Sequence, residues 1–189
     1  MTISPSNRLE NARILIYSHD TFGLGHLRRC RAIAHEIVDR YKGVSVLIIS
    51  GSPVIGSFDF KARVDFIRIP GIIKLHNGEY TSLSLHIDLS ETLAIRESII
   101  RQTAKVYAPD LFIVDKEPLG LHGEVRNTLY DLKAKGVRTV LGLRDVLDDR
   151  ETLLEEWVKK QVFPNIDTHY YEIWIYGVEE FFQPLKDLP

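Results

Sequence analysis

The run His19-Asp20-Thr21-Phe22-Gly23-Leu24-Gly25-His26-Leu27-Arg28-Arg29 follows the apolar segment Arg13–Ser18. Gly23 and Gly25, one residue apart, let the backbone turn tightly and come close to a ligand. A helix starting near Gly25 or His26 presents free N–H groups and the positive end of its dipole to an anion. Two further polar groups close apolar runs: Asp115 after Leu111–Val114, and Arg144 at the end of Val137–Arg144. Arg144 has the chemistry of an anion contact. Asp145 beside it reads as the cap of the next helix.

Several chemistries are excluded by spacing. A dinucleotide fingerprint needs a third Gly or Ala three residues after Gly25, where Arg28 stands. It also needs an acidic residue after the second strand, where Ser50-Gly51-Ser52-Pro53 stands. The glycines are not followed by the Gly-Lys-Ser/Thr of a P-loop, and the Gly-x-Ser-x-Gly of a nucleophile elbow is missing. The histidines are scattered, without His-x-x-x-His or Cys-x-x-Cys pairs, so no metal site is expected. Cys30, the single cysteine, falls at an apolar helix position and reads as a small buried hydrophobe.

The elements that must position these groups alternate along the chain. Apolar runs at Arg13–Ser18, Val44–Ser50, Asp65–Pro70, Leu111–Asp115, Val137–Arg144 and Glu172–Gly177 read as six strands. Helical spacing links Leu27, Cys30, Ala34, Ile37, Val38 and Tyr41, and returns over Leu93–Tyr107, Leu119–Lys135 and Asp145–Gln161. The stretch Gly71–Ser90 is polar and reads as irregular. Strands without polar alternation, separated by helices, define an α/β class with a doubly wound, mostly parallel, Rossmann-like sheet. The ligand crevice of such a sheet lies beyond the carboxyl ends of its strands. Residues 1–12 read as a polar N-terminal tail, 13–177 as the domain, and 178–189 as a second tail.

At 189 residues, with 24 basic and 26 acidic side chains and a net charge of −2, the chain fits one domain and no nucleic-acid partner. Its longest apolar runs are too short to span a bilayer, and no signal core is visible at Met1–Asn11. A cytoplasmic location is expected; peripheral membrane contact needs only a surface patch.

Gly23-x-Gly25-His26-x-x-Arg29-Cys30 resembles the Gly-x-Gly-His-x-x-Arg loop of GT-B nucleotide-sugar enzymes of the family-28 type. That group includes a peptidoglycan lipid-linked N-acetylglucosaminyltransferase and a UDP-sugar hydrolase of pseudaminic acid synthesis. Pro109–Asp115 and Leu141-Gly142-Leu143-Arg144-Asp145 are similar to two further landmarks of the group. The resemblance implies one half of a GT-B fold: the acceptor-side domain of a glycosyltransferase, incomplete without a C-terminal donor domain. It implies a nucleotide-sugar donor, an unknown acceptor hydroxyl, and no cofactor or metal.

By the same resemblance His26 is the general base on the acceptor hydroxyl, a task suited to imidazole. Asp115 would hold the ring in one tautomer, as histidine–aspartate pairs do in plant GT-B enzymes. Gly23, Gly25, Arg29 and Arg144 would contact substrate or phosphate. Arg28 and Arg31 read as solvated helix face, and at most one of His19 and Asp20 faces the site. Gly71–Ser90, with His76 and His86, is a candidate wall of the acceptor pocket. His35, His122 and His169 read as surface or packing residues. Two other functions fit the same residues: a nucleotide-sugar hydrolase with water as acceptor, and a non-catalytic glycan- or protein-binding domain.

Overall fold

A computed structural model describes residues 11–19, 24–144, 157–158 and 162–177. Along the chain these form β1 (Arg13–Ser18), α1 (Gly25–Arg40), β2 (Ser45–Ser50), β3 (Val64–Arg68), β4 (Ile72–Lys74) and β5 (Tyr80–Ser82). There follow α2 (Leu89–Tyr107), β6 (Leu111–Asp115), α3 (Arg126–Ala134), β7 (Arg138–Arg144), α4 (Val162–His169) and β8 (Glu172–Tyr176). Six strands form one sheet in the order β3-β2-β1-β6-β7-β8. Every neighbouring pair is parallel. This is the doubly wound α/β sheet expected from the six apolar runs.

Side-chain alternation sorts each strand between two cores. Ile14 and Ile16 of β1, Ile113 of β6 and Val140 of β7 pack with Leu27, Cys30, Ala34 and Val38 of α1 on one face. Leu15, Tyr17, Phe112, Val114, Leu141 and Leu143 pack with Ile100 and Ala104 of α2 and Leu129 and Leu132 of α3 on the other. Fully burying one such aliphatic side chain stabilises the fold by about 1.5–3 kcal/mol. The two-residue period also dictates the strand ends. Asp115 lies two residues beyond Ile113, so it faces α1; Gly142 lies two beyond Val140 and does the same.

Two local readings are corrected. Gly71–Ser90 is not wholly irregular: β4 and β5 pair antiparallel within it. Asn77-Gly78 makes the turn, with Gly78 at φ 88° and the Glu79 N–H donating to Asn77 Oδ1 at 3.0 Å. The helix read over Leu119–Lys135 begins only at Arg126. Gly120, His122 and Gly123 have φ of 69°, 51° and 87°, which a helix cannot accommodate. The helix α4 fills the stretch before β8 to which no element was assigned, with Pro164 tolerated in its first turn. The expected helix Asp145–Gln161 lies outside the described residues apart from Trp157 and Val158, and so do residues 1–10 and the tail 178–189.

Candidate functional site

The strand order reverses between β1 and β6, whose chain continuations run to opposite sides of the sheet. This is the switch point at which such sheets open a crevice. His26 is the second residue of α1, the helix that follows β1. Asp115 is the last residue of β6. The fold therefore brings the two to one edge from opposite sides of the switch point.

Asp115 is the centre of the cluster. Its side chain is 1% exposed, against 14% for His26 and 18% for Arg29. Asp115 Oδ2 lies 2.5 Å from His26 Nδ1. Asp115 Oδ1 accepts from Arg29 Nη2 at 2.5 Å and from Arg29 Nε at 3.1 Å. Arg29 is one helical turn beyond His26, so both reach the carboxylate from the same face of α1. Arg29 Nη2 also lies 2.9 Å from His26 Nδ1.

Of these contacts the one to Asp115 decides the tautomer, since Arg29 Nη2 already donates to Asp115 Oδ1 at 2.5 Å. An unprotonated Nδ1 would set its lone pair against a carboxylate oxygen at 2.5 Å. A proton on Nδ1 turns that clash into a charge-assisted hydrogen bond. The Nε2 lone pair is then left as the basic atom of the ring. Among the described residues His26 bonds only through Nδ1. The edge of the His19 ring meets the His26 ring at 5.6 Å, so His19, the buried residue after β1, also faces the cluster.

Tyr176 was missing from the sequence-based candidates. Its ring lies under the Arg29 guanidinium at 5.3 Å. Burial, with the Asp115 charge adding to it, pushes the Tyr176 phenol well above its ordinary range, so the ring stays neutral. Gly142 makes room for it: a Cβ at that position would stand 2.1 Å from the Tyr176 hydroxyl oxygen. A glycine inside an apolar strand marks such an approach, and Leu141-Gly142-Leu143 carried that signal.

The other expected site residues are distributed as follows. Gly25 opens α1, and a Cβ there would meet nothing within 4 Å. Gly23 lies outside the described residues. Arg144 ends β7, exposed and in register with Tyr176, and has no ion pair among the described residues. The structure thus brings together His26, Arg29 and Asp115 and leaves Arg144 at the margin.

Beside the cluster opens a cleft of about 580 Å³. His19 lines it, together with Lys74 and Tyr80 of the β4–β5 hairpin, residues 116–123 after β6, Arg126 of α3 and Asn165 of α4. His122, read as a surface or packing residue, is exposed in this wall and meets Tyr80 edge-to-face at 5.1 Å.

Beneath the cleft, on the face away from α1, lies a second polar network. Glu124 accepts from Arg96 Nε at 2.5 Å and Arg96 Nη2 at 2.6 Å. Tyr17 donates its hydroxyl to Glu124 at 2.5 Å and accepts from the Leu121 N–H at 3.2 Å. Arg96 Nη1 donates to the Pro70 carbonyl at 2.6 Å. Arg96 occupies the buried stripe of α2 with Thr92, Ile100 and Ala104, a position where arginine is legible as a buried ion.

No family model and no curated protein matches the chain. Solved structures similar to it include a UGT transferase from Siraitia grosvenorii in complex with UDP, at 14% identity and TM-score 0.46. That match covers 70% of this chain and 28% of the other. Apo UGT2 of Phytolacca americana is similar at 18% identity and TM-score 0.47, over 80% of this chain and 33% of that one. UGT71G1 of Medicago truncatula, complexed with UDP-glucose, is similar at 14% identity and TM-score 0.45, over 70% and 29%. The chain thus spans a third or less of each structure. At these scores the architecture rests on the strand order and register described above. Among the described residues no helix is long and apolar enough to cross a membrane, and no three His, Cys, Asp or Glu side chains group as metal ligands.

Proposed function

We propose that the chain is the acceptor-side domain of a GT-B, family-28-like glycosyltransferase. The observation that carries this reading is the 2.5 Å contact between His26 Nδ1 and Asp115 at the switch point. It leaves Nε2 as a base pointed by a buried carboxylate. In the reaction the acceptor O–H gives its proton to Nε2, and its oxygen bonds the anomeric carbon of the donor sugar. The bond from that carbon to the nucleotide diphosphate breaks, and the diphosphate leaves with the electron pair. Asp115 stabilises the imidazolium that forms. Arg29 turns Nε and Nη2 to Asp115, which leaves Nη1 to meet phosphate. The N–H groups opening α1, from Gly25 onward, add a positive end to the same edge. The nucleotide sugar is substrate, its base and ribose held by a second domain.

The size of the cleft favours transfer over hydrolysis. About 580 Å³ is in the range of small-molecule pockets and far exceeds the roughly 30 Å³ share of one water. The reading is tested by nucleotide release in the complete protein, with a panel of UDP-, GDP- and dTDP-sugars and hydroxyl acceptors. His26→Ala should lower turnover by about 10²–10⁴-fold with donor affinity retained. Near-normal turnover of that variant sinks the base assignment.

A further inference from the structure

The cleft beside the dyad has an electrostatic character of its own. Among the described residues three cations line it, Lys74, Lys116 and Arg126, against one acid, Glu117. The chain as a whole is slightly acidic, with a net charge of −2. The three cations come from separate parts of the fold: the hairpin, the turn after β6 and the start of α3. Lys116 stands 3.9 Å from Glu117, a loose pairing. Lys74 and Arg126 have no carboxylate within ion-pair distance among the described residues. The Lys74 ammonium instead sits over the Tyr80 ring at 5.7 Å, and Tyr80 abuts His122. That contact fixes the lysine stem against an aromatic wall and leaves its charge directed by position, not by a counter-ion.

The floor of the cleft is preorganised. The rim 117–123 is held from below by the Leu121 N–H on Tyr17, and Tyr170 donates its hydroxyl to the Pro118 carbonyl. Gly120 allows the close approach, since a Cβ there would stand 3.1 Å from the Tyr17 hydroxyl oxygen. A positive cleft on a rigid floor lowers the ordering cost of binding an anion. His19 links the cleft to the dyad, lining the one and touching the ring of the other.

We infer that this cleft holds an anionic group of the acceptor, a phosphate or carboxylate carried near the hydroxyl that His26 deprotonates. The inference rests on the transferase reading for the word acceptor; the anion site itself does not. On the transferase reading the donor diphosphate goes instead to the N–H groups at the start of α1. The cleft therefore selects acceptors that are already charged. The reaction class that supplies them is one that adds phosphate to a hydroxyl, or leaves a carboxylate, before this sugar is added.

Calorimetric titration of the 189-residue chain with glucose 1-phosphate, methyl glucoside and UDP tests the inference. Glucose 1-phosphate should bind at least about tenfold tighter than methyl glucoside, the scale of one charged hydrogen bond. Lys74→Met and Arg126→Gln should each weaken it by about tenfold, and added salt should weaken it further. Both residues are exposed, so the fold is expected to survive, and thermal melting checks that. Arg101→Gln removes the same charge from the far side of α2 and should change nothing. Equal binding of the neutral and charged sugars overturns the inference. So does an equal loss in Arg101→Gln, which would report net charge alone. Tighter binding of UDP that is also lost in Lys74→Met and Arg126→Gln overturns it in favour of a donor site. Anion binding without sugar transfer in the complete protein would break the transferase reading and leave the anion site standing. Transfer to neutral acceptors with no anion binding would do the reverse.

Discussion

Asp115 and Glu124 are both buried carboxylates gripped by an arginine, and each has a third polar partner. Asp115 takes Arg29 and the His26 ring; Glu124 takes Arg96 and the Tyr17 hydroxyl. They sit on opposite faces of the sheet: the parity of β6 turns Asp115 toward α1, and Glu124, in the turn before α3, meets Tyr17 on the other face. What separates them is what remains unused. Around Glu124, Arg96 is 1% exposed and closes on the Pro70 carbonyl, while Tyr17 closes on the Leu121 N–H. Around Asp115, His26 and Arg29 stay partly exposed and keep Nε2 and Nη1 clear of the carboxylate. The same triplet chemistry is a scaffold where every group is satisfied inward, and a site where one atom of each partner faces a crevice.

The strongest way to break this comparison is to remove each carboxylate in turn. Asp115→Asn should lower turnover of the complete protein by about 10²–10⁴-fold, because the dyad acts as one unit. Its melting temperature should fall far less than that of a Glu124 variant, since Arg29 can turn to water. Glu124→Ala should cost about 3–5 kcal/mol of stability, because it leaves Arg96 buried without a counter-charge. Against a total stability of roughly 5–15 kcal/mol, that approaches unfolding. Denaturant melts of the two variants side by side decide it; the opposite ranking would collapse the distinction.

A smaller effect sharpens the open side of the comparison. Gly142→Ala would drive a methyl into Tyr176, the ring beneath Arg29. Overpacking of this kind costs roughly 1–3 kcal/mol. Because the displaced ring carries Arg29 with it, turnover should fall together with the melting temperature. Gly142→Ala paired with Tyr176→Leu should recover the stability and not the turnover. Recovery of both would show that Tyr176 has no part in placing Arg29.

Much of this was legible in the chain itself. Unalternated apolar runs marked all six strands, and ligand geometry in parallel sheets pointed to their carboxyl ends. His26 and Asp115 were therefore visible as residues at one edge. The partner of Arg29 was not, because a helix N-terminal arginine after two glycines suits phosphate as well as carboxylate. Only the parity of β6, fixed by which residues α1 covers, turns Asp115 toward it. The hairpin β4–β5 escaped because its strands are three residues each, too short for a period to show. The late start of α3 escaped because Leu121, Val125 and Leu129 keep helical spacing through a segment that the positive φ at Gly120 and Gly123 makes a turn. The hairpin and the turn line the cleft: Gly71–Ser90 was read as a wall, but it contributes Lys74 and Tyr80 where His76 and His86 were named, and Arg126 was missed with the turn.

The smallest effect tests the closed side alone. Tyr17→Phe keeps the ring in the core and deletes the one hydroxyl that joins Glu124 to the cleft rim. Arg96 still donates to both Glu124 oxygens, so the carboxylate stays paired. The Leu121 N–H is the group that loses its acceptor. The expected cost is therefore roughly 1–1.5 kcal/mol, the net contribution of one buried hydrogen bond, and not that of an orphaned charge. The loss should be local: the Leu121 amide should exchange with solvent faster, while amides of the central strands keep their protection. Turnover at saturating acceptor should hold, because neither His26 nor Asp115 is touched; a looser rim 117–123 should show only as a higher acceptor KM. Should Tyr17→Phe reduce turnover as deeply as Asp115→Asn, the two carboxylate clusters would be parts of one machine, and the line drawn between scaffold and site would be in the wrong place.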